Sequence, residues 1–283
     1  MYWTDIVLRK VYVEISNICN LSCSFCPGTK RMPGVMTVPQ FETVARKLRG
    51  VTQYLYFHLM GEPLLHPELP HLLEIAEAEG YKVIITTNGT LLPRQEELLL
   101  GSGAVHKVNI SLQSFEANAG GRLEAYVQGC AAFARKMGQR GKICVLRLWN
   151  SGGLESLNAD IERILEKEFP KPWRESRASL ALAERVWLEP GEKFDWPDMS
   201  ELDRGESCFC YALRDQAGIL CDGTVVPCCL DHEGDIPLGN IFEQSMEEIL
   251  SSPRAKTMYD GFSRRRAVEE LCRKCGYARR FNK

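Results

Sequence analysis

Through its first two-thirds the chain alternates short β-branched runs with stretches of helical period. This feature restricts the fold most, because strands separated by helix-length connections pair in parallel. Val11–Ser16 alternates as a strand, and Thr37 then stands as an N-cap before Phe41, Val44 and Leu48 at helical spacing, with Gly50 as the stop. Tyr54–Leu59 reads as a second strand. Leu69, Leu72, Leu73 and Ala76 share one face of a helix ended by Gly80, and Lys82–Thr86 is a third strand closed by Asn88-Gly89. Lys107–Leu112 precedes a stretch to Gln139, Ile143–Leu148 precedes a helix to about residue 168, and Arg185–Leu188 is the sixth strand.

Six strand–helix units over about 190 residues fall short of the eight units and roughly 250 residues of a closed barrel. The expected fold is therefore α/β, a partial, open (β/α)6 barrel over residues 1–200. Residues 201–283 change character: Asp222-Gly223 is a hairpin turn between Ile219-Leu220 and Val225-Val226, and Gln244–Leu250 is a short helix. This predicts a small cysteine-rich α+β module.

Charge narrows the function. The 35 Lys and Arg balance 37 Asp and Glu with no basic run, which leaves no electrostatic footprint for nucleic acid, so a small molecule or a peptide is the expected substrate. The start, Met1 to Lys10, lacks the pattern of a signal peptide, and no stretch approaches the roughly 20 apolar residues of a membrane span. A cytoplasmic protein without a membrane partner is expected.

The 12 cysteines are too sparse for a disulfide scaffold, but their placement is uneven: three fall within residues 19–26 and seven within 208–275. Cys130 and Cys144 lie in helix and strand patterns and read as packing residues. Cys19, Cys23 and Cys26 form Cys-x3-Cys-x2-Cys on a loop after a strand, where parallel sheets place active sites. Three thiolates can hold three irons of a [4Fe–4S] cluster and leave the fourth iron open. A closed zinc site would need a fourth ligand, and no further Cys or His follows within the loop.

This spacing, with aromatic Phe25 before the last cysteine, resembles the signature of the radical S-adenosylmethionine (SAM) superfamily, and the resemblance spans the barrel-like part. It implies that the open iron binds the amino and carboxylate groups of SAM, and that an electron supplied by a donor such as flavodoxin or ferredoxin cleaves SAM to methionine and a 5′-deoxyadenosyl radical. The other strand ends match in order. Met60-Gly61-Glu62-Pro63 stands where the family's Gly-Gly-Glu motif meets the SAM amino group, with Met60 in place of the first Gly, so that backbone contacts must serve there. Thr87-Asn88-Gly89 would lie near the methionine part, Ser111 and Gln113 near the ribose or carboxylate, and Arg147 would pair with the carboxylate.

In the C-terminal third, Cys272-Arg-Lys-Cys275 can chelate a metal from a tight turn, given partners upstream. The segment from Cys210 through Asp231 resembles the Twitch module, related to SPASM domains, which implies a second [4Fe–4S] cluster on Cys210, Cys228, Cys272 and Cys275. Cys208, Cys221 and Cys229 neighbour these positions, with Cys229 the nearest competitor, and a zinc ribbon on the same four cysteines is the alternative.

Strand-end residues left over by the SAM motifs are the substrate candidates: His58, Trp149, Asn150, Glu189, Glu192, Phe194, Asp195 and Trp196. Aromatic faces beside carboxylates suit a flat, hydrogen-bonding ring. Core packing is the competing role for Trp149 and Trp196, and a satisfied strand histidine for His58. Two families are resembled more narrowly. The VEISNICNLSCSFCP and GEPLLHP segments are similar to an aminocyclitol dehydrogenase, 2-deoxy-scyllo-inosamine dehydrogenase. NISLQSF, Arg147-Leu148-Trp149 and the Cys210–Asp231 segment are similar to queuine lyases, which implies cleavage of the bond between cyclopentenediol and deazaguanine base. A planar base suits the candidates better than an aminocyclitol, and the lyase is preferred. A peptide-modifying SPASM-type enzyme and a non-catalytic zinc module are the readings from other classes.

Overall fold

The computed structural model describes residues 7–118 and 121–281, so the first six residues used in the signal-peptide argument lie outside the described residues. In chain order the elements are β1 (Lys10–Val13), α1 (Val38–Lys47), β2 (Tyr54–Phe57), α2 (Leu69–Ala78), β3 (Lys82–Thr87), α3 (Leu92–Gly101), β4 (Val105–Ser111), α4 (Leu123–Gln139), β5 (Ile143–Ser151) and α5 (Asn158–Glu168). There follow β6 (Arg174–Ser176), β7 (Ser179–Ala183), β8 (Val186–Glu192), β9 (Gln216–Ile219), β10 (Thr224–Val226), β11 (Gly239–Asn240), α6 (Met246–Leu250), α7 (Pro253–Ser263) and α8 (Glu270–Arg273).

One open sheet runs in the order β11-β10-β9-β1-β2-β3-β4-β5-β8-β7-β6. Its central six strands, β1 to β5 and β8, are parallel, as an incomplete barrel requires. The start of α1 follows from sequence: the Thr37 hydroxyl accepts from the Gln40 amide while the Gln40 side chain accepts from the Thr37 amide, and Phe41, Val44 and Ala45 are buried. Helix α3 was not marked by the strand–helix reading. It starts with Pro93 in its first turn and buries Leu92, Leu99 and Leu100.

Three features differ from expectation. The sixth parallel strand does not follow α5 directly. Pro170 and Pro172 stop the helical pattern, and the antiparallel hairpin β6–β7 intervenes and extends the sheet's edge. At the other edge, β9 pairs in parallel with β1, matching Lys10 with Gln216 and Val13 with Ile219, so the sheet runs unbroken from the barrel into the cysteine-rich segment. The short helix begins at Met246 rather than Gln244, because Ser245 caps it through the Glu248 amide.

Period-2 alternation divides each strand between two surroundings. Val11, Val13, Leu55, Phe57, Leu146 and Leu148 pack beneath the helices in the main core. The opposite positions, Lys10, Tyr12, Tyr56, His58, Lys107, Arg147 and Trp149, line a cavity of about 540 Å³. Among the described residues no helix is long and apolar enough to cross a membrane.

Candidate functional site

The first cysteine loop leaves β1 and is clamped at its base. Asn17 donates its amide to the Gly34 carbonyl and its side chain to the Met32 carbonyl, while its Oδ1 accepts from the Gly34 amide at 2.8 Å. Inside that closure Cys19, Cys23 and Cys26 all face the cavity. The Leu21 amide points at Cys19 Sγ and Asn118 Nδ2 lies 3.0 Å from Cys23 Sγ. Burial pushes all three thiols up, and for Cys19 and Cys23 the neighbouring thiols add to it. Thiols so placed stay protonated until a cationic centre accepts their negative charge, which fits a bound iron cluster.

The strand-end motifs meet this loop. Gly61 has φ +77°, and a Cβ there would stand 2.4 Å from the Ser16 carbonyl oxygen, so only glycine lets the β2 end pass the start of the cysteine loop. Glu62 is buried. Its carboxylate accepts from the Leu64 amide at 3.1 Å and the Asn88 amide at 2.8 Å, and its own amide donates to the Ile18 carbonyl. Burial raises its pKa against these bonds. Asn88 Nδ2 reaches Asn20 Oδ1 at 2.9 Å, which ties the third strand end to the loop.

Phe25, Gly61, Glu62, Thr87, Asn88, Ser111, Gln113 and Arg147 all line the cavity. The Gln113 Oε1 is buried without a partner, an acceptor left for a bound molecule. Met60 departs from expectation: it is buried outside the cavity wall, and its amide is taken by Glu14 Oε2 at 3.3 Å. Arg147 lies on the cavity wall with partners of its own. Its Nε lies 3.5 Å from Glu189, its guanidinium lies 4.4 Å over the Trp149 ring, and its electrostatic neighbours include Lys10, Lys107 and His58.

The second thiol set converges on the same cavity. Cys210, Cys228, Cys272 and Cys275 line it, and Cys228 feels the charge of each of the other three. Burial is the leading cause of the raised thiol pKa in all four, and Cys210 is pushed up to about 12. Of the three competitors, Cys229 lines the same cavity, and Cys208 sits beside Cys272 and Cys275 at a neighbouring pocket. Cys229 takes a hydrogen bond from Tyr12, Cys221 lies against Glu14 and Gly34, and Cys208 donates to the Phe209 carbonyl. Cys130 and Cys144 are buried in the main core, as expected of packing residues. Cys228→Ala is accordingly expected to cost about half of the iron held after anaerobic reconstitution, and Cys229→Ala almost none, measured by iron content and cluster absorbance.

Of the substrate candidates, His58, Trp149, Phe194 and Trp196 line the cavity. Burial, then Arg147 and Lys10, pushes His58 down to about 3, so its imidazole is neutral, and its Nδ1 has no partner. Trp149 is held between Arg147 and the Gly191 backbone. Trp196 packs edge-on to His232 at 5.5 Å and lies 5.4 Å from Phe194, which meets Tyr277 at 5.1 Å. The remaining candidates are corrected. Asn150 points to the far side of β5, where its Nδ2 binds the Leu154 carbonyl and Asn158 Oδ1 and so staples a loop. Glu192 and Asp195 are exposed and off the cavity, with Asp195 paired to Arg204 at 3.1 Å. Glu189 supports Arg147 from beside the wall. The cavity residues that strand-end reading missed include Lys10, Tyr12, Tyr56, Lys107 and Tyr277.

Residues 13–148 match the radical SAM superfamily, and residues 208–276 match the SPASM iron–sulfur cluster-binding domain. Among curated proteins, the chain is 30% identical over 209 residues to a GTP 3′,8-cyclase of Synechococcus sp. (strain WH7803), covering 64% of this chain and 57% of the relative. It is 31% identical over 90 residues to a 7-carboxy-7-deazaguanine synthase of Aquifex aeolicus, covering 32% of this chain and 41% of the relative. The chain thus spans under two-thirds of the length of these relatives. Among solved structures, BtrN in complex with AdoMet and 2-DOIA superposes with a TM-score of 0.62 at 19% identity, over 96% of this chain and 94% of that one. Streptococcus suis SuiB bound to its precursor peptide SuiA superposes at 0.64 with 18% identity, over 96% of this chain and 70% of that one. These likenesses establish the fold.

Proposed function

Since the chain belongs to the radical SAM superfamily and carries a SPASM-type iron–sulfur domain after its barrel, we propose that its substrate is a small planar nitrogen base, and that the reaction is the C–N bond cleavage of a queuine lyase. One observation carries the substrate class: a single cavity of about 540 Å³ is faced by both thiol sets and by Trp149, Phe194, Trp196 and Tyr277. Flat aromatic faces reward a flat ligand and reward a puckered, fully hydroxylated ring less. The names of the curated relatives, a GTP cyclase and a deazaguanine synthase, lie on the same side. They name a cyclase and a synthase, so the lyase chemistry rests on the sequence resemblance alone.

When bound, the first cluster and SAM supply the 5′-deoxyadenosyl radical that takes a hydrogen atom from the substrate. Cys19, Cys23 and Cys26 would hold three of the irons, and Gly61, Thr87, Asn88, Ser111 and Gln113 would bind and orient SAM. The aromatic side chains would exclude water and fix the plane of the base. Cys210, Cys228, Cys272 and Cys275 would hold the second cluster with no iron left open, which suits electron transfer or support of the fold rather than substrate ligation.

Anaerobic turnover with SAM, followed by mass spectrometry of 5′-deoxyadenosine and products, tests this on a panel of queuine, its nucleoside, purine nucleotides and aminocyclitols. Release of the deazaguanine base from queuine or its nucleoside is expected. An oxidised aminocyclitol would select the dehydrogenase and overturn the proposal.

A further inference from the structure

The parallel strands place three cations inside the cavity: two lysines that neither the cysteine loop nor the SAM motifs employ, and beside them Arg147, matched in sequence to the SAM carboxylate. Lys10 opens β1, Lys107 lies in the first half of β4, and Arg147 stands at the middle of β5; all three line the cavity and sense one another's charge. Among the described residues neither lysine makes a salt bridge. Lys10 lies 5.3 Å and 5.4 Å over the Tyr12 and Tyr56 rings, and Arg147 Nε is buried without a hydrogen-bond partner. Two carboxylates face them: Glu189 at 3.5 Å from Arg147, and Asp215, which acts on Lys10 but is shared with Arg9 at 3.8 Å. The neutral His58, its Nδ1 unpartnered, completes the group.

Half-burying ammonium groups with no carboxylate in salt-bridge contact costs free energy, and burial lowers the pKa of both lysines, outweighing the more distant Asp215 and Glu189. A cavity that retains such a cost is suited to a ligand that repays it. We propose that Lys10, Lys107 and Arg147 receive an anionic group of the substrate, a phosphate monoester or a carboxylate carried by the planar base or its sugar. The inference rests on the planar-base reading for what bears the anion; within the lyase reading it favours a phosphorylated queuine nucleoside over queuine itself, and outside that reading a carboxylated base over a neutral one. Arg147 offers a planar fork and the lysines two point charges, the combination that holds a tetrahedral or planar oxyanion from several sides.

Calorimetric titration of the anaerobically reconstituted, SAM-bound protein tests it with five probes: guanosine 5′-monophosphate, guanosine, 7-carboxy-7-deazaguanine, 7-deazaguanine and inorganic phosphate. An anionic ligand is expected to bind about 10- to 100-fold more tightly than its neutral counterpart. Lys10→Met and Lys107→Met should each shrink that ratio, while Lys107→Arg keeps most of it and guards against a folding defect. A gain confined to the nucleotide identifies phosphate; a gain confined to the ring acid identifies carboxylate. Equal binding of charged and neutral members overturns the proposal while leaving the planar-base reading standing. Lysine-dependent binding of inorganic phosphate, with no added affinity from any base, upholds the anion site and overturns the planar-base reading. Failure of every probe, phosphate included, overturns the anion site.

Discussion

Replacing Cys19, Cys23 or Cys26 by Ala is expected to end 5′-deoxyadenosine formation while the second thiol set still takes up iron. Each of the three faces the cavity, and no fourth protein ligand stands among the cavity residues contributed by the loop, so no nearby thiol can take over a lost position. Removing an outer-shell partner of a metal ligand already costs about 10- to 100-fold, so losing a ligand itself should exceed about 100-fold. Asn118→Ala supplies the comparison. Its Nδ2 reaches Cys23 Sγ at 3.0 Å and its Oδ1 accepts from the Ser22 amide, so this variant should lose activity by about 10- to 100-fold yet keep its iron. The readouts are iron content per chain and 5′-deoxyadenosine released after reduction. Undiminished SAM cleavage in Cys19→Ala would remove the first loop from the chemistry.

Local spacing made the first thiol set and the Cys272–Cys275 pair legible in the sequence, because ligands on one loop or one turn are close in space as well as in number. The choice among the C-terminal cysteines rests on resemblance: Cys228 feels Cys210, Cys272 and Cys275 but also Cys229, which lines the same cavity and takes a hydrogen bond from Tyr12. What the strand-end reading lacked was parity. Arg147 and Trp149 point inward, so Leu148 and Asn150 must point outward, and the same rule sets Lys10 and Tyr12 inside against Val11 and Val13 beneath the helices. The pairing of β9 with β1 and the seating of Tyr277 against Phe194 join segments far apart in the chain. No pattern within either segment encodes such a meeting, and it is decided only when the sheet edge and the last helical turns pack together.

Glu14→Ala should produce the largest loss of stability of any substitution outside the thiol sets. Glu14 is fully buried, and its carboxylate gathers four separate segments: Arg31 Nη2 at 2.6 Å, the Met60 amide at 3.3 Å, the Cys221 amide at 3.2 Å, and β1, which it follows. Arg31 in turn gives its Nε to the His232 carbonyl at 2.8 Å. One side chain therefore links the exit of the first cysteine loop, the β2 end that carries Gly61, and the hairpin of the cysteine-rich segment. Removing one partner of a buried ion pair typically costs about 3–5 kcal/mol, because the other charge is left uncompensated, and here two amides also lose their acceptor. Glu14→Gln keeps an acceptor oxygen of the same reach but not the charge, so its loss should be smaller. Thermal denaturation of the reconstituted protein should rank the wild type above Glu14→Gln and Glu14→Ala lowest. Because the carboxylate touches elements of both thiol sets, iron content at the two sites should fall together in Glu14→Ala rather than at one alone. A variant with unchanged melting and a full iron complement would show that the two sites are positioned independently of this pair.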